Sequence, residues 1–152
     1  MKIQHSLIWI LLLILTSSYY LGYTPLLITL IYFVASLISY YLYAKDKKAA
    51  KNDTWRVSEN TLHLSALLFG WPGAIIAQLR LRHKTKKVKF RIVFWLTLIM
   101  NISLLMWIHT PQGLHKNRDI FNNLDFFMVT QLGDNEVIVV MLDLTNFRPA
   151  PF

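Results

Sequence analysis

The sequence predicts an all-α integral membrane protein with three transmembrane helices, a re-entrant or short fourth hydrophobic segment, and a small C-terminal tail. Three observations carry this reading. Hydrophobic residues make up 55% of the 152 residues and stand in long runs rather than at the spacing of a soluble core. Lys and Arg outnumber Asp and Glu by sixteen to eight, and the excess is uneven: residues 1–113 carry thirteen cations against three acids, residues 114–152 three against five. One apolar run is interrupted by Gly70-Trp71-Pro72-Gly73 and leads straight into a basic block from Arg80 to Arg91. Residues 1–113 therefore read as a polytopic membrane domain and 114–152 as a tail in different surroundings.

The hydrophobic segments fall at about 6–22, 26–43, 62–79 and 90–109. In the first, Leu7–Leu15 is unbroken and softens into Thr16–Tyr20. Lys2 is its only amino-terminal cation, no A-x-A-type cleavage site follows, and a second apolar run starts almost at once, so it reads as a retained span rather than a signal peptide. Gly22-Tyr23-Thr24-Pro25 supplies a turn, and Leu26–Tyr43 is close to the length that crosses about 30 Å of hydrocarbon. Tyr40, Tyr41 and Tyr43 suit the headgroup level, and Lys45, Lys47, Lys48 and Lys51 after them mark the cytoplasmic side. The amino terminus is then cytoplasmic as well.

The connector Ala44–Asn60 holds Asp46, Asp53 and Glu59, all three acids of the first 113 residues. Asn52-Asp53-Thr54 is expected to cap a helix starting near Trp55, on which Arg56 and Glu59, three apart, would share a face. Leu62–Leu79 would measure roughly 27 Å as one helix, barely enough to cross. Pro72 removes a backbone donor and the glycines beside it permit a sharp turn. A crossing would also have to export part of a region whose block Arg80–Arg91 has seven cations and no acid, which the positive-inside bias opposes. The expected form is a re-entrant hairpin turning at Gly70, Trp71, Pro72 and Gly73, covered by the other helices. Ile92–Ile108 is a span with Trp95 near one end and Trp107 and His109 near the other, and Thr110-Pro111-Gln112-Gly113 ends it. In the tail, Phe126–Leu132 and Val137–Leu142 look strand-like around Gly133-Asp134-Asn135-Glu136, which predicts a β-hairpin or a poorly ordered segment.

The string Tyr43-x-x-Asp46-Lys47-x-Ala49, Trp55-Arg56-Val57-x-Glu59-x-x-Leu62-His63, Gly70-Trp71-Pro72-Gly73-Ala74 with Gln78, and Arg82-His83-Lys84-Thr85-x-Lys87-x-x-Phe90 resembles a family of small bacterial inner-membrane proteins known as a domain of unknown function. Some members of that family carry an N-terminal cold-shock domain. The resemblance covers roughly Tyr20–Ile108 and implies a multi-helix membrane domain without implying an activity. The family has a second glycine where Phe69 stands here, and the tail lies outside the resemblance.

Arg82, His83, Lys84 and Lys87 are the candidate residues for binding an anion or a lipid headgroup, because juxtamembrane cations attract anionic membrane at about 1 kcal/mol each. The competing reading of the block is a topology signal only. Asp46, Lys47, Arg56, Glu59 and His63 form a candidate structural or polar site, which a re-entrant turn would bring to the same membrane face. No residue is assigned a catalytic role: hydrolase, P-loop and dinucleotide signatures are missing. Without cysteine there is no thiolate nucleophile, and His63 and His83 lack H-x-x-x-H or H-E-x-x-H spacing, so neither metal nor cofactor is expected. The expected partners are the lipid bilayer, its anionic phospholipids, or a membrane protein. Nucleic acid is disfavoured because the aromatics near the block, Phe90 and Trp95, belong to an apolar helix. The leading function is a non-enzymatic membrane factor acting through a basic cytoplasmic face; the alternative is a membrane enzyme or transporter for a phosphorylated or lipid substrate.

Overall fold

The computed structural model describes residues 2–85, 87–132 and 136–148. Its helices are α1 (Lys2–Tyr20), α2 (Leu26–Lys51), α3 (Glu59–Ser65), α4 (Trp71–Leu81), α5 (Val88–Ile108), α6 (Pro111–Leu132) and α7 (Glu136–Thr145). A distorted turn, Ala66–Gly70, joins α3 to α4. No strand occurs among the described residues. Leu26–Lys51, Glu59–Leu81 and Val88–Ile108 are long and apolar enough to cross a membrane. The chain divides into two compact units, Met1–Ile8 with Ile31–Ser103 and Trp9–Leu30 with Leu104–Phe152.

In the first unit, Glu59–Leu81 is not one straight rod. Glu59 opens α3, yet its carboxylate lies 2.8 Å from both Lys84 Nζ and Lys87 Nζ, which follow the end of α4. A straight helix over those 23 residues would hold its ends roughly 33 Å apart. The segment therefore enters along α3 and returns along α4. Its tip is at Leu68 (φ −81°, ψ 48°) and Phe69, whose φ of 67° lies in the left-handed region. That conformation costs a non-glycine residue about 1–2 kcal/mol, and the Phe69 ring packs 5.1 Å from that of Tyr32.

The turn thus lies just before the residues expected to form it. Trp71 and Pro72 open α4, where the missing proline N–H is no loss. Gly70 and Gly73 serve close packing instead. A Cβ on Gly70 would meet Ala35 O at 2.7 Å, and one on Gly73 would meet Ser36 O at 1.8 Å. Small residues of this kind let membrane helices approach backbone to backbone. Along this contact α4 runs parallel to α2, with Gln78 Nε2 donating to Tyr43 Oη at 3.4 Å. On α3, Ser65 Oγ is 3.1 Å from Ser39 Oγ. Asn101 Nδ2 of α5 donates to the Leu67 carbonyl at 3.0 Å, next to the tip. Tyr43, Leu62, Trp71, Ile75, Phe90 and Phe94 are buried around these contacts. Ala66 and Gly70 of the turn are buried and the Leu67 carbonyl is hydrogen-bonded, while Leu68 at the tip is exposed.

The start of α3 also differs from expectation. Ser58 is the cap: its backbone is extended (φ −64°, ψ 147°) and its Oγ accepts from Thr61 N at 3.1 Å. Residues 54–58 are non-helical and Trp55 is 95% exposed. A serine followed at once by an acid in the first turn satisfies both the free N–H groups and the helix dipole, which Asn52-Asp53-Thr54 would do several residues too early.

In the second unit, α1 and α2 are joined through Gly22, whose φ is 71°. Ser18 Oγ lies 2.8 Å from Thr24 Oγ1 and 2.9 Å from His109 Nε2, while His109 Nδ1 lies 2.7 Å from the Leu105 carbonyl. The carbonyl can only accept, so Nδ1 carries a proton. Thr110 caps α6, accepting from Gly113 N at 3.1 Å, with Pro111 in the first helical position. Arg118 donates to the Gly22 carbonyl at 3.2 Å, and Thr145 of α7 donates to Asp125 of α6 at 2.6 Å.

The tail is accordingly helical, not a β-hairpin or a structureless segment. Apart from Leu114 and Leu144, the less exposed positions of α6 are Gly113, Asn117, Phe121, Asp125 and Met128, and those of α7 are Ile138, Leu142 and Thr145. These recur every three or four residues, the period of a helix. The turn expected at Gly133-Asp134-Asn135 lies outside the described residues.

Candidate functional site

The hairpin brings six charged or titratable side chains to one end of the first unit. Asp46 stands near the end of α2, past its apolar stretch, and is fully buried. Its Oδ2 lies 2.7 Å from His83 Nε2 and 3.5 Å from Lys84 Nζ. Its Oδ1 has Arg56 Nε at 3.6 Å, beyond hydrogen-bond reach, and accepts no hydrogen bond from the described residues. Glu59 receives Lys84 and Lys87. Lys84 is thus shared between the two carboxylates, and its side chain is only 10% exposed. Lys47 donates to the Leu81 carbonyl, a cation placed where the last carbonyls of α4 need one.

Burial alone would push the Asp46 carboxyl up. The hydrogen bond from His83 and the charges of Lys84, His83 and Arg56 outweigh that and hold it below its usual range. Glu59 is drawn down to about 2, first by its hydrogen bonds from Lys84 and then from Lys87. Both carboxylates are ionised under ordinary conditions, and the cluster is a salt-bridge network rather than an acid–base pair. The loop after α4 bends to build it: Arg82 (φ 47°) and Lys84 (φ 61°) are both in the left-handed region. Strain at non-glycine residues persists where surrounding contacts over-determine it.

The structure therefore brings Asp46, Arg56, Glu59, His83, Lys84 and Lys87 together. Arg56 engages Asp46 rather than sharing a helix face with Glu59, because it precedes the Ser58 cap. His63 packs its ring 4.2 Å from that of Phe90, with Nδ1 buried and without a hydrogen-bond partner among the described residues. Arg82 points away: no carboxylate pairs with it among the described residues. Gly70 at the end of the turn and Gly73 on α4 sit against α2, with Trp71 and Pro72 between them opening α4. Lys86 lies outside the described residues. Among the described residues no group of acids and histidines could hold a metal ion. Sequence reasoning assigns Ser58 no role, yet it fixes where Glu59 points; the signal is a serine directly before an acid at the edge of an apolar run.

Residues 36–90 match the family described as protein of unknown function (DUF1294). The chain is also 32% identical over 79 residues to an uncharacterized protein, YsdA, of Bacillus subtilis (strain 168), across 52% of this chain and 89% of that relative. The chain belongs to the DUF1294 family. No solved structure matches it. The DUF1294 match spans most of α2, the whole hairpin and the start of α5, so every member of the carboxylate–cation cluster falls inside it, while α6 and α7 fall outside. The family and the relative are both described without a function, so the function rests on the geometry.

Proposed function

We propose that the protein is a non-enzymatic factor of the bacterial inner membrane, multi-pass with its amino terminus cytoplasmic, that binds anionic lipid headgroups or a membrane partner through its basic face. The observation that carries this is the fold-back of α3 and α4, which gathers the end of α2, Arg56 and the block following α4 at one level. Ion pairing then divides the cations. Arg56, His83, Lys84 and Lys87 surround Asp46 and Glu59, whereas Arg80, Arg82, Lys89 and Arg91 are exposed and have no carboxylate partner among the described residues. Together with Lys45, Lys48 and Lys51 at the end of α2, also exposed and without a carboxylate partner among the described residues, those four supply the net charge that a headgroup would feel. Gln4 of α1 lines the same cleft as Arg82 and Arg91, which supports an amino terminus on the basic side.

Extraction of the protein with its surrounding lipid from vesicles of known composition tests the reading. Phosphatidylglycerol and cardiolipin should be enriched over neutral lipid in the extracted particles, less so as salt rises, since exposed charges are screened within about 10 Å at 0.1 M. Recovery of lipid at the bulk ratio would reduce the block to a topology signal.

A second reading, a membrane enzyme or transporter for a phosphorylated or lipid substrate, is supported by one feature: the buried Asp46 carboxylate beside His83, with an oxygen that accepts no hydrogen bond from the described residues. The two readings differ under mutation. A substrate site would lose its function with Asp46→Asn alone, whereas an electrostatic binder declines step by step as exposed cations are removed.

A further inference from the structure

The exposed cations are not spread evenly over the surface. Arg82 and Arg91 face a cleft of about 550 Å³ that also takes in Gln4 from α1, Gln78 from α4 and Trp95 from α5. Arg82 reaches it because the left-handed cap of α4 turns the chain outward there. Arg91 and Trp95 are four apart on α5 and so share a face. They also line a second hollow of about 400 Å³, whose remaining walls are Val88, Ile92, Leu96 and Ile99. These residues recur at three- and four-residue spacing down α5, and each is more than half exposed. A charged notch thus opens directly into an apolar trough running away from the basic collar.

We propose that this notch and trough bind one anionic phospholipid molecule, with its phosphate between Arg82 and Arg91 and an acyl chain along α5. This rests on the headgroup-binding reading and names its site. Guanidinium groups match phosphate with paired hydrogen bonds where lysine offers only a point charge. Gln4 and Thr85 add polar groups at the rim for headgroup hydroxyls, and Trp95 sits where an amphipathic ring suits the boundary between headgroup and chain. A water-soluble phosphate would satisfy the arginines yet leave the trough uncovered, so a lipid is the occupant that fits the whole surface. The lysines of the neighbouring cluster are held by Asp46 and Glu59, which leaves the two arginines to select for charge.

The test is native mass spectrometry of the full chain in neutral detergent, titrated with phosphatidylglycerol or with phosphatidylcholine of the same chains. One phosphatidylglycerol should bind in preference, and the Arg82→Gln/Arg91→Gln variant should lose on the order of thirtyfold in that affinity at about 1 kcal/mol per cation. Arg82→Lys/Arg91→Lys should recover only part of the loss. Arg80→Gln/Lys89→Gln, which removes the same charge outside the cleft, should lose markedly less, and short-chain phosphatidylglycerol should bind more weakly than long-chain. Unfolding temperatures in lipid-free detergent identify any variant that merely fails to fold, and Trp95→Ala then serves as the second probe of the same surface. Equal losses from the two charge-removing pairs would overturn the cleft while leaving the basic face intact. Displacement of phosphatidylglycerol by equimolar glycerol phosphate would make this a site for a soluble anion, and no preference in the wild type would remove the headgroup-binding reading itself.

Discussion

His83 Nε2 lies 2.7 Å from Asp46 Oδ2, across 37 positions of sequence, and this contact ties the loop after α4 to the end of α2. The carboxylate is fully buried while His83 and Lys84 keep 13% and 10% exposure, so the charge is enclosed by its partners rather than by water. Removing one member of such a group leaves the others uncompensated, which is typically worse than never having had the pair. Asp46→Ala should therefore destabilise the protein by about 3 kcal/mol, measured as unfolding in detergent. Adding His83→Ala should cost much less than it does alone, because partners in one network are not additive. Additive losses would show that the two side chains act independently.

Acid should unpick the same network in a defined direction. The Glu59 carboxyl is drawn from its usual 4.5 down to about 2, and Asp46 lies below its usual 3.8. Groups depressed in the folded state stabilise it fully above their unfolded values and lose that contribution as pH falls toward the folded ones. The unfolding temperature should be flat above about pH 5 and fall progressively toward about pH 2. Glu59→Gln should lower stability at neutral pH and flatten the acid slope. An unchanged slope in that variant would assign the acid sensitivity elsewhere.

Phe69 holds a φ of 67° at the hairpin tip, at a position where the resemblance to the family gives glycine. Replacing the ring by either alanine or glycine removes its packing against Tyr32, so comparing the two isolates the backbone. Phe69→Gly should be more stable than Phe69→Ala by about 1 kcal/mol, the left-handed penalty of a Cβ. Equal stabilities in detergent unfolding would mean that the tip relaxes when the ring is gone.

The helical architecture was legible because runs such as Leu26–Tyr43 and Ile92–Ile108 are long and apolar. The partners within the cluster were not: spacing speaks only within one helix, and Asp46 meets His83 through tertiary structure. Arg56 and Glu59 were misjoined because the cap fell at Ser58, between them. The glycines at 70 and 73 signalled a turn by composition, yet their positions answer to the backbone of α2, which no local pattern reveals. In the tail, the buried face of α6 includes Asn117 and Asp125, so its helical period is invisible to a search for apolar residues alone, and β-branched residues in α7 imitate a strand.

The hairpin also makes a topological prediction. Glu59 and Lys84 are 2.8 Å apart, so the two ends of the α3–α4 segment lie on one side of whatever plane it enters. A segment that crossed would put them on opposite sides, and the whole of α5 would then run the other way. Single cysteines are clean reporters because the chain has none of its own. In intact cells, Asn52→Cys and Thr85→Cys should both resist an impermeant thiol reagent, the positive-inside bias placing them in the cytoplasm, and both should react once the membrane is opened. Asn122→Cys, beyond α5, should react in intact cells if α5 spans. Labelling of the cysteine at 85 but not of the one at 52 would separate the arms and undo the hairpin. Labelling of both, with 122 protected, would keep the hairpin and invert the protein, so the outcome separates the fold from its orientation.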